Sequence, residues 1–216
     1  MNFKIIIALI ALTSMLSCKS TKVLSEADSE TYFEVEVIQN GESISIQDQM
    51  VSLEKAPFKF QITFYQVDHV YVAPSWGKFY YDYPDSNNIF ECDGANYDEC
   101  RFFAGKTGAQ ASFNTGKELL VGDGSYQQVW FYDPEMDWHR FDKGVKVLDD
   151  KTIATMTVEH IYDCDGRDQQ LPKNEYNYPI DQVNKEIYMV FATSDYNKET
   201  KLTAEVQREK FTIRFK

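Results

Sequence analysis

The chain has 216 residues and is acidic, with 22 Lys and Arg against 34 Asp and Glu and a formal net charge of −12. An acidic surface repels phosphate groups, so the composition argues against binding to DNA or RNA. The 14 Tyr, 15 Phe and 3 Trp argue against disorder and favour a β-rich core, because aromatic side chains fit the half-buried surface of a sheet.

Residues 1–17 have the pattern of a secretory signal peptide. The positive charge of Lys4 is followed by a run from Ile5 to Leu16 that is almost entirely apolar. A helix needs roughly 20 apolar residues to cross about 30 Å of hydrocarbon, and this run is shorter. The segment therefore predicts a signal that is cleaved, not a membrane-spanning helix.

The sequence Met15-Leu16-Ser17-Cys18 resembles the lipobox of bacterial lipoproteins, in which an aliphatic residue and two small residues precede an invariant cysteine. It departs from that pattern at Met15, where leucine is usual, and at Leu16, where a smaller residue is common. The resemblance covers only the first twenty or so residues. It implies cleavage before Cys18, a diacylglyceryl group on the thiol and an acyl chain on the new amine. Two or three acyl chains hold a protein firmly at a bilayer, because each buried CH₂ contributes about 0.8 kcal/mol.

The same resemblance implies a protein of the bacterial cell envelope that is attached to a membrane through its lipid. Loss of residues 1–17 removes one positive side chain, that of Lys4. The mature chain then has 21 basic and 34 acidic residues and a net charge of −13. Residues 18–30 are polar and predict a flexible tether. The stretch 19–22 has no acidic residue of the kind that favours surface display in some lipoproteins. We therefore expect an outer-membrane protein that faces the periplasm.

Residues 31–216 predict a single domain with enough chain to bury a core. Phe33, Val35 and Val37 alternate with glutamates, and the dipeptide Asn40-Gly41 then signals a hairpin turn. The cleanest amphipathic strand in the chain is 58–64, where large apolar residues alternate with Lys, Gln and Thr.

Shorter runs of strand-like sequence follow, separated by turns rich in Gly, Pro and Asp. Ten or so short strands with frequent turns predict an all-β fold, an antiparallel β-sandwich of the immunoglobulin-like or jelly-roll-like kind. A few short helices, near 112–120 or 180–185, are compatible with this pattern. The predicted later strands are 70–73, 78–83, 101–104, 119–121, 128–132, 145–148, 152–162, 186–193, 202–207 and 211–215.

Three cysteines remain in the predicted domain. Cys92 and Cys100 bracket a turn-rich stretch, and an exported domain lies in a compartment where a disulfide can persist. We expect these two to be bonded to each other, which leaves Cys164 free. A disulfide between Cys164 and either of the others is the alternative, and the spacing does not choose between them.

The acidic loop from 163 to 168 is a candidate calcium site. Asp163, Asp165 and Asp168 surround a glycine turn, and Ca²⁺ takes six to eight oxygen ligands of this type. The spacing does not match an EF-hand loop, and a solvated Asp- and Gly-rich turn explains the same residues. Apart from the covalent lipid on Cys18 and this calcium candidate, no cofactor is expected.

Aromatic residues supply the candidate recognition site. Trp138, His139 and Arg140 follow a Pro that must end a strand, so they fall in a loop, where binding residues concentrate. With Trp76 they form a candidate surface for a glycan or an envelope protein. The alternative is that Trp138 folds back and plugs one end of the sandwich.

The sequence contains neither a G-x-S-x-G nor an H-E-x-x-H motif, and we assign no catalytic residue. His69, His139 and His160 do not have the spacing of a zinc site. The predicted function is therefore a non-catalytic binding or structural role in the cell envelope. The alternative from another class is an envelope hydrolase whose site is assembled from residues distant in sequence.

Overall fold

The computed structural model describes residues 31–78, 80–85, 89–90, 109–112, 118–121, 129–132, 145–163, 177–200 and 202–216. In these ranges the chain forms fourteen strands and one short 3-10 turn, and no α-helix. The fold is all-β, with sheets that pack against each other as a sandwich, which confirms the predicted fold class.

The strands are numbered in chain order, and the 3-10 turn Ile180–Gln182 lies between the twelfth and the thirteenth. The bounds are β1 Phe33–Gln39, β2 Glu42–Ile44, β3 Met50–Leu53, β4 Phe58–Phe64, β5 His69–Ser75, β6 Ala109–Ser112, β7 Glu118–Val121, β8 Val129–Tyr132, β9 Lys146–Val147, β10 Thr152–Val158, β11 His160–Asp163, β12 Asn177–Pro179, β13 Ile187–Asn197 and β14 Leu202–Phe215.

Sheet A has five strands in the order β2-β1-β4-β10-β9, and all its pairs are antiparallel. The predicted hairpin joins β1 to β2 through Asn40 and Gly41, whose φ angles of 55° and 81° suit the tight turn of two-residue hairpins. In β4 the four alternating apolar residues of the predicted strand are all buried, which confirms its amphipathic pattern.

Sheet B has six strands in the order β3-β14-β13-β5-β7-β6. Most of its pairs are antiparallel, as predicted, but β3 runs parallel to β14 and β5 runs parallel to β7. The long β13–β14 pair has a bulge, because Thr193 pairs with Gln207 while Ser194 pairs with Glu205. The residue left over, Val206, is the extra residue of that bulge.

Sheet C is small, with the order β12-β11-β8. The predicted strand 152–162 is in fact two strands that meet at Glu159, since β10 belongs to sheet A and β11 to sheet C. At the start of β11 the His160 ring contacts the Asn177 side chain of β12, with Nδ1 and Oδ1 3.2 Å apart.

The main core lies between sheets A and B and is built largely from phenylalanine. The ring of Phe60 lies 5.7 Å from that of Phe191 and 6.3 Å from that of Phe211, so one side chain of sheet A packs against two strands of sheet B. Burial of each such ring contributes roughly 1.5–3 kcal/mol. The inner faces of the two sheets therefore form one continuous core.

A second core covers the outer face of sheet B. Ala73, Val190 and Ala192 are buried there beneath aromatic residues of the segment 80–90. The sequence predicted a strand at 78–83, but residues 80–83 form turns, and the Asp82 amide donates to the carbonyl of Lys78 at 2.7 Å. Because sheet B is covered on both faces, β13 is buried without the alternation of a half-exposed strand.

The start of the domain marks one end of the sandwich, which we call the entry end. Phe33 pairs with Phe64, Phe64 pairs with Thr152, and Thr152 pairs with Val147. The side chain of Gln207 ties this end to sheet B, because its Oε1 accepts from the Phe33 amide at 3.1 Å and its Nε2 donates to the Phe33 carbonyl at 2.9 Å.

Candidate binding surface

A group of tyrosines and basic residues lies on the outer face of sheet B, where β13 begins and β14 ends. We call it the tyrosine–lysine surface and define it as Lys78, Tyr81, Tyr188, Lys210 and Arg214. Alternation along β13 explains the position of Tyr188, because its neighbours Ile187 and Met189 face the main core. The Tyr81 and Tyr188 rings meet edge to face with centroids 5.4 Å apart.

Each of the two tyrosine rings carries a lysine ammonium. Lys78 Nζ is 5.1 Å from the centroid of Tyr188, and Lys210 Nζ is 5.7 Å from the centroid of Tyr81. A cation over an aromatic face is attracted by the ring quadrupole, with about 0.5–1 kcal/mol at exposed sites. The surface therefore places two ammonium groups over an aromatic pair.

Carboxylates orient the rest of the surface. Glu186 accepts from Arg214 Nε at 2.7 Å and from the Tyr188 hydroxyl at 3.1 Å. The hydrogen bond from Arg214 is the main reason that the pKa of Glu186 lies below its ordinary value. Burial, followed by the bond to Glu186, raises the pKa of Tyr188. At neutral pH the surface thus holds an ionised carboxylate beside a protonated phenol.

Asp85 orients a basic side chain of the surface, as Glu186 orients Arg214. Its Oδ1 accepts from Lys210 Nζ at 2.8 Å and lies 3.3 Å from Arg208 Nη1. The bond to Lys210 lowers the pKa of this carboxyl. Tyr81 completes the network, since its hydroxyl donates to Gln49 Oε1 at 3.2 Å.

The surface lies away from the entry end of the sandwich. Its β14 members, Lys210 and Arg214, approach the end of the strand, where the Phe215 ring contacts Phe58 at 6.2 Å. Phe58 begins β4, whereas Phe64 at the other end of that strand pairs with Phe33 at the entry end.

Trp76 follows β5 and is half-buried against the main core. Its indole Nε1 donates to Asp163 Oδ2 at 3.0 Å, and Lys185 Nζ lies 5.2 Å from the ring centroid. Asp163 is only 8% exposed, so the indole hydrogen bond stabilises a carboxylate that has little access to water. Trp76, a candidate recognition residue, and Asp163, a candidate calcium ligand, are therefore direct hydrogen-bond partners.

The other predicted site residues lie outside the described residues, and their roles stay predictions. Among the residues that the structure describes, no group of three His, Cys, Asp or Glu could hold a metal ion. No helix in the described ranges has the length and apolarity to cross a membrane. The predicted site residues that lie outside the described ranges are Cys18, Cys92, Cys100, Trp138, His139, Arg140, Cys164, Asp165 and Asp168.

A histidine and a serine that the sequence did not connect meet on sheet B. His69 Nε2 and Ser194 Oγ are 3.0 Å apart, and Ser194 lies at the bulge of β13 and β14. The Thr193 hydroxyl donates to the His69 carbonyl at 2.6 Å, while Tyr71 packs edge to face against the His69 ring. The two residues are 125 positions apart, so no local motif could have revealed them.

Comparison with known proteins identifies no relative, since no family model, no curated protein and no solved structure matches the chain. The fold and the local geometry therefore carry the functional argument.

Proposed function

We propose that this protein is a lipid-anchored component of the bacterial cell envelope with a non-catalytic binding role. The lipobox-like sequence ending at Cys18 supports the anchor, and the lack of acidic residues at 19–22 favours an outer-membrane location facing the periplasm. The tyrosine–lysine surface is the proposed binding region, and its partner is a glycan or an envelope protein.

The observation that carries the binding role is the Tyr81–Tyr188 pair with a lysine ammonium over each ring. Tyrosine and arginine are enriched among the residues that dominate binding energy at interfaces. Rings that are already held by an edge contact and by hydrogen bonds lose little conformational entropy when a partner binds, which favours affinity. The position of the surface away from the entry end would leave it accessible when the domain is anchored.

Binding is tested with the full, lipidated chain in native membranes. Chemical cross-linking followed by mass spectrometry identifies protein neighbours, and a glycan array tests carbohydrate binding. We expect the double variant Lys78→Ala with Tyr188→Ala to lose its partner while it remains folded at the temperature of the assay, which circular dichroism checks. Lys59→Ala is the matched control, because Lys59 is an exposed lysine on sheet A. Equal binding by both variants would remove the tyrosine–lysine surface from the proposal.

Anchoring is tested separately. Cys18→Ser is expected to release the protein from the membrane fraction or to leave an uncleaved precursor, because the acylated thiol is lost. Mass spectrometry of the mature N-terminus reads the modification directly. An unmodified N-terminus at any residue other than Cys18 would contradict the lipid anchor.

The His69–Ser194 contact fits the alternative function, an envelope hydrolase, but Ser194 is only 7% exposed, so a substrate has little access to its hydroxyl. In such an enzyme Ser194 Oγ would attack the carbonyl carbon of an ester while His69 Nε2 takes the hydroxyl proton and passes it to the leaving alcohol. Water would then attack the acyl carbon, and His69 would return the proton from that water to Ser194 Oγ as the carboxylic acid leaves. A fluorophosphonate probe tests this, since attack by Oγ forms a bond to phosphorus and expels fluoride. Labelling that disappears in Ser194→Ala would support the hydrolase, and absence of labelling in the native chain would exclude a serine nucleophile of this kind.

A further inference from the structure

Three polar residues form a row across the outer face of sheet B. His69 on β5 contacts Ser194 on β13, with Nε2 and Oγ 3.0 Å apart, and Ser194 pairs with Glu205 on β14. Residues directly opposite each other in an antiparallel pair point to the same side of the sheet. Tyr71, two residues along β5 from His69, packs against the second core, so the row lies on the covered face.

The residues that cover this face reach both ends of the row. We call residues 80–85 and 89–90 the cover. The Ile89 amide donates to Glu205 Oε2 at 3.1 Å. At the other end, the Phe90 ring lies 5.1 Å from that of Tyr71, which packs 5.3 Å from the His69 ring. Ser194 lies between these contacts, and it is buried.

The side chain of Arg208 on β14 holds the cover from below. Its Nη1 donates to the Tyr83 carbonyl at 2.9 Å and to the Pro84 carbonyl at 3.4 Å, and it lies 3.3 Å from Asp85 Oδ1. Its Nε and Nη2 each donate to an oxygen of Glu205 at 2.7 Å. Hydrogen bonds from a charged donor are stronger than neutral ones, so this guanidinium fastens three successive residues of the cover to sheet B.

The arrangement allows the cover to leave the sheet without unfolding the sandwich. The side chains of sheet B beneath it are small, two alanines and a valine at Ala73, Ala192 and Val190. Arg208 and Glu205 both belong to β14, so they keep each other as partners when the cover moves and neither is left as a lone buried charge. Segments held by few contacts open locally at a lower free energy than global unfolding requires.

We propose that the cover is a lid over the His69–Ser194 pair and that Arg208 is its latch. In the closed position Ser194 has little access to solvent, and local opening exposes it while the sandwich stays folded. The lid goes beyond the proposed binding role. Its control of a reaction at Ser194 rests on the alternative function, the envelope hydrolase.

Hydrogen exchange of the full chain tests the latch. Arg208→Gln removes the charged donor, and Arg214→Gln is the matched control, since it removes an arginine of the same strand that binds Glu186. We expect the amides of residues 82 and 89 to exchange several-fold faster in Arg208→Gln than in the control, with β4 unchanged. Asp85→Asn changes only one exposed partner of the latch and should give the same pattern with a smaller effect.

Alkylation of a cysteine at position 194 tests whether the lid covers the pair. Ser194→Cys is combined with each of the other substitutions and treated with iodoacetamide under native conditions. Peptide mass spectrometry then reads the modification at position 194 separately from the native cysteines. We expect alkylation there to be several-fold faster with Arg208→Gln than with Arg214→Gln, in step with hydrogen exchange at Ile89.

Three outcomes would overturn the lid. The first is equal exchange of the cover in all variants. The second is acceleration of β4 by the same factor as the cover in both Arg208→Gln and Asp85→Asn, because the cover would then open only with the whole domain. The third is unchanged alkylation at position 194 despite faster exchange of the cover. Fluorophosphonate labelling judges the hydrolase separately, so faster alkylation at position 194 in a chain whose Ser194 is never labelled supports the lid and removes the enzyme.

Discussion

Trp76 donates its indole hydrogen to Asp163 across 3.0 Å, and this bond joins the end of β5 in sheet B to the end of β11 in sheet C. The contact gives both residues a structural role. Trp76 packs against the main core, and the carboxylate it binds is buried. An aromatic residue proposed for recognition and an acid proposed for calcium thus stabilise one junction between two sheets.

Trp76→Phe should destabilise the domain. Phenylalanine keeps an aromatic ring against the core but cannot donate to Asp163, so the buried carboxylate loses one partner at a cost of about 1–3 kcal/mol. Urea unfolding followed by circular dichroism measures the change. Tyr81→Phe is the control, because it removes a hydroxyl whose bond to Gln49 is exposed. Equal stability of Trp76→Phe and the native protein would show that the indole bond contributes nothing.

Phe60→Ala should be among the most destabilising single substitutions. Phe60 is fully buried and contacts Phe191, Phe211 and Phe58, so truncation removes apolar burial and leaves a cavity, which typically costs about 3–5 kcal/mol. The same unfolding experiment checks it, with Lys59→Ala on the exposed side of β4 as the comparison. A loss below about 1 kcal/mol would be inconsistent with a core centred on this ring.

Tyr65 should ionise only at very alkaline pH. Its hydroxyl donates to Glu34 Oε2 at 2.6 Å, and that bond, followed by burial and the charges of Glu34 and Asp150, raises its pKa from 10.0 to about 12. Ultraviolet titration of tyrosinate, compared with Tyr65→Phe, isolates this group. Glu34→Gln should return the pKa towards 10.0, and an unchanged titration in that variant would contradict the assigned cause.

The same shift predicts how stability depends on pH. Below pH 10 the phenol of Tyr65 is protonated in both the folded and the unfolded chain, so its contribution is fully present. As the pH rises from 10 to 12 the unfolded chain releases this proton first, and the contribution is lost. The decline over that range should be smaller in Tyr65→Phe.

Gln207→Ala should loosen the start of the domain without unfolding it. The Gln207 side-chain amide makes hydrogen bonds to the backbone of Tyr32 and Phe33. Its loss removes these hydrogen bonds, while the main core keeps its packing. Hydrogen exchange at the Tyr32 and Phe33 amides should accelerate several-fold, with little change at β13. Unchanged exchange in Gln207→Ala would show that β1 is held by its pairing with β4 alone.

Local sequence patterns predicted the fold class, the Asn40-Gly41 hairpin and the amphipathic strand β4. These features depend on side-chain alternation and turn chemistry within a few residues, so the sequence contains them directly. The acidic charge, the aromatic content and the lipobox-like segment are likewise local or compositional.

The arrangement of those strands depended on contacts between residues far apart in the chain. The parallel β3–β14 pair, the division of 152–162 between two sheets and the cover of turns over sheet B have no local signature, because register and pairing follow from burial in three dimensions. The side-chain contacts at the candidate sites also have no local signature. Trp76 meets Asp163, and His69 meets Ser194, only after sheets and strands have paired, since the residues of each contact are separated by 87 and 125 positions along the chain.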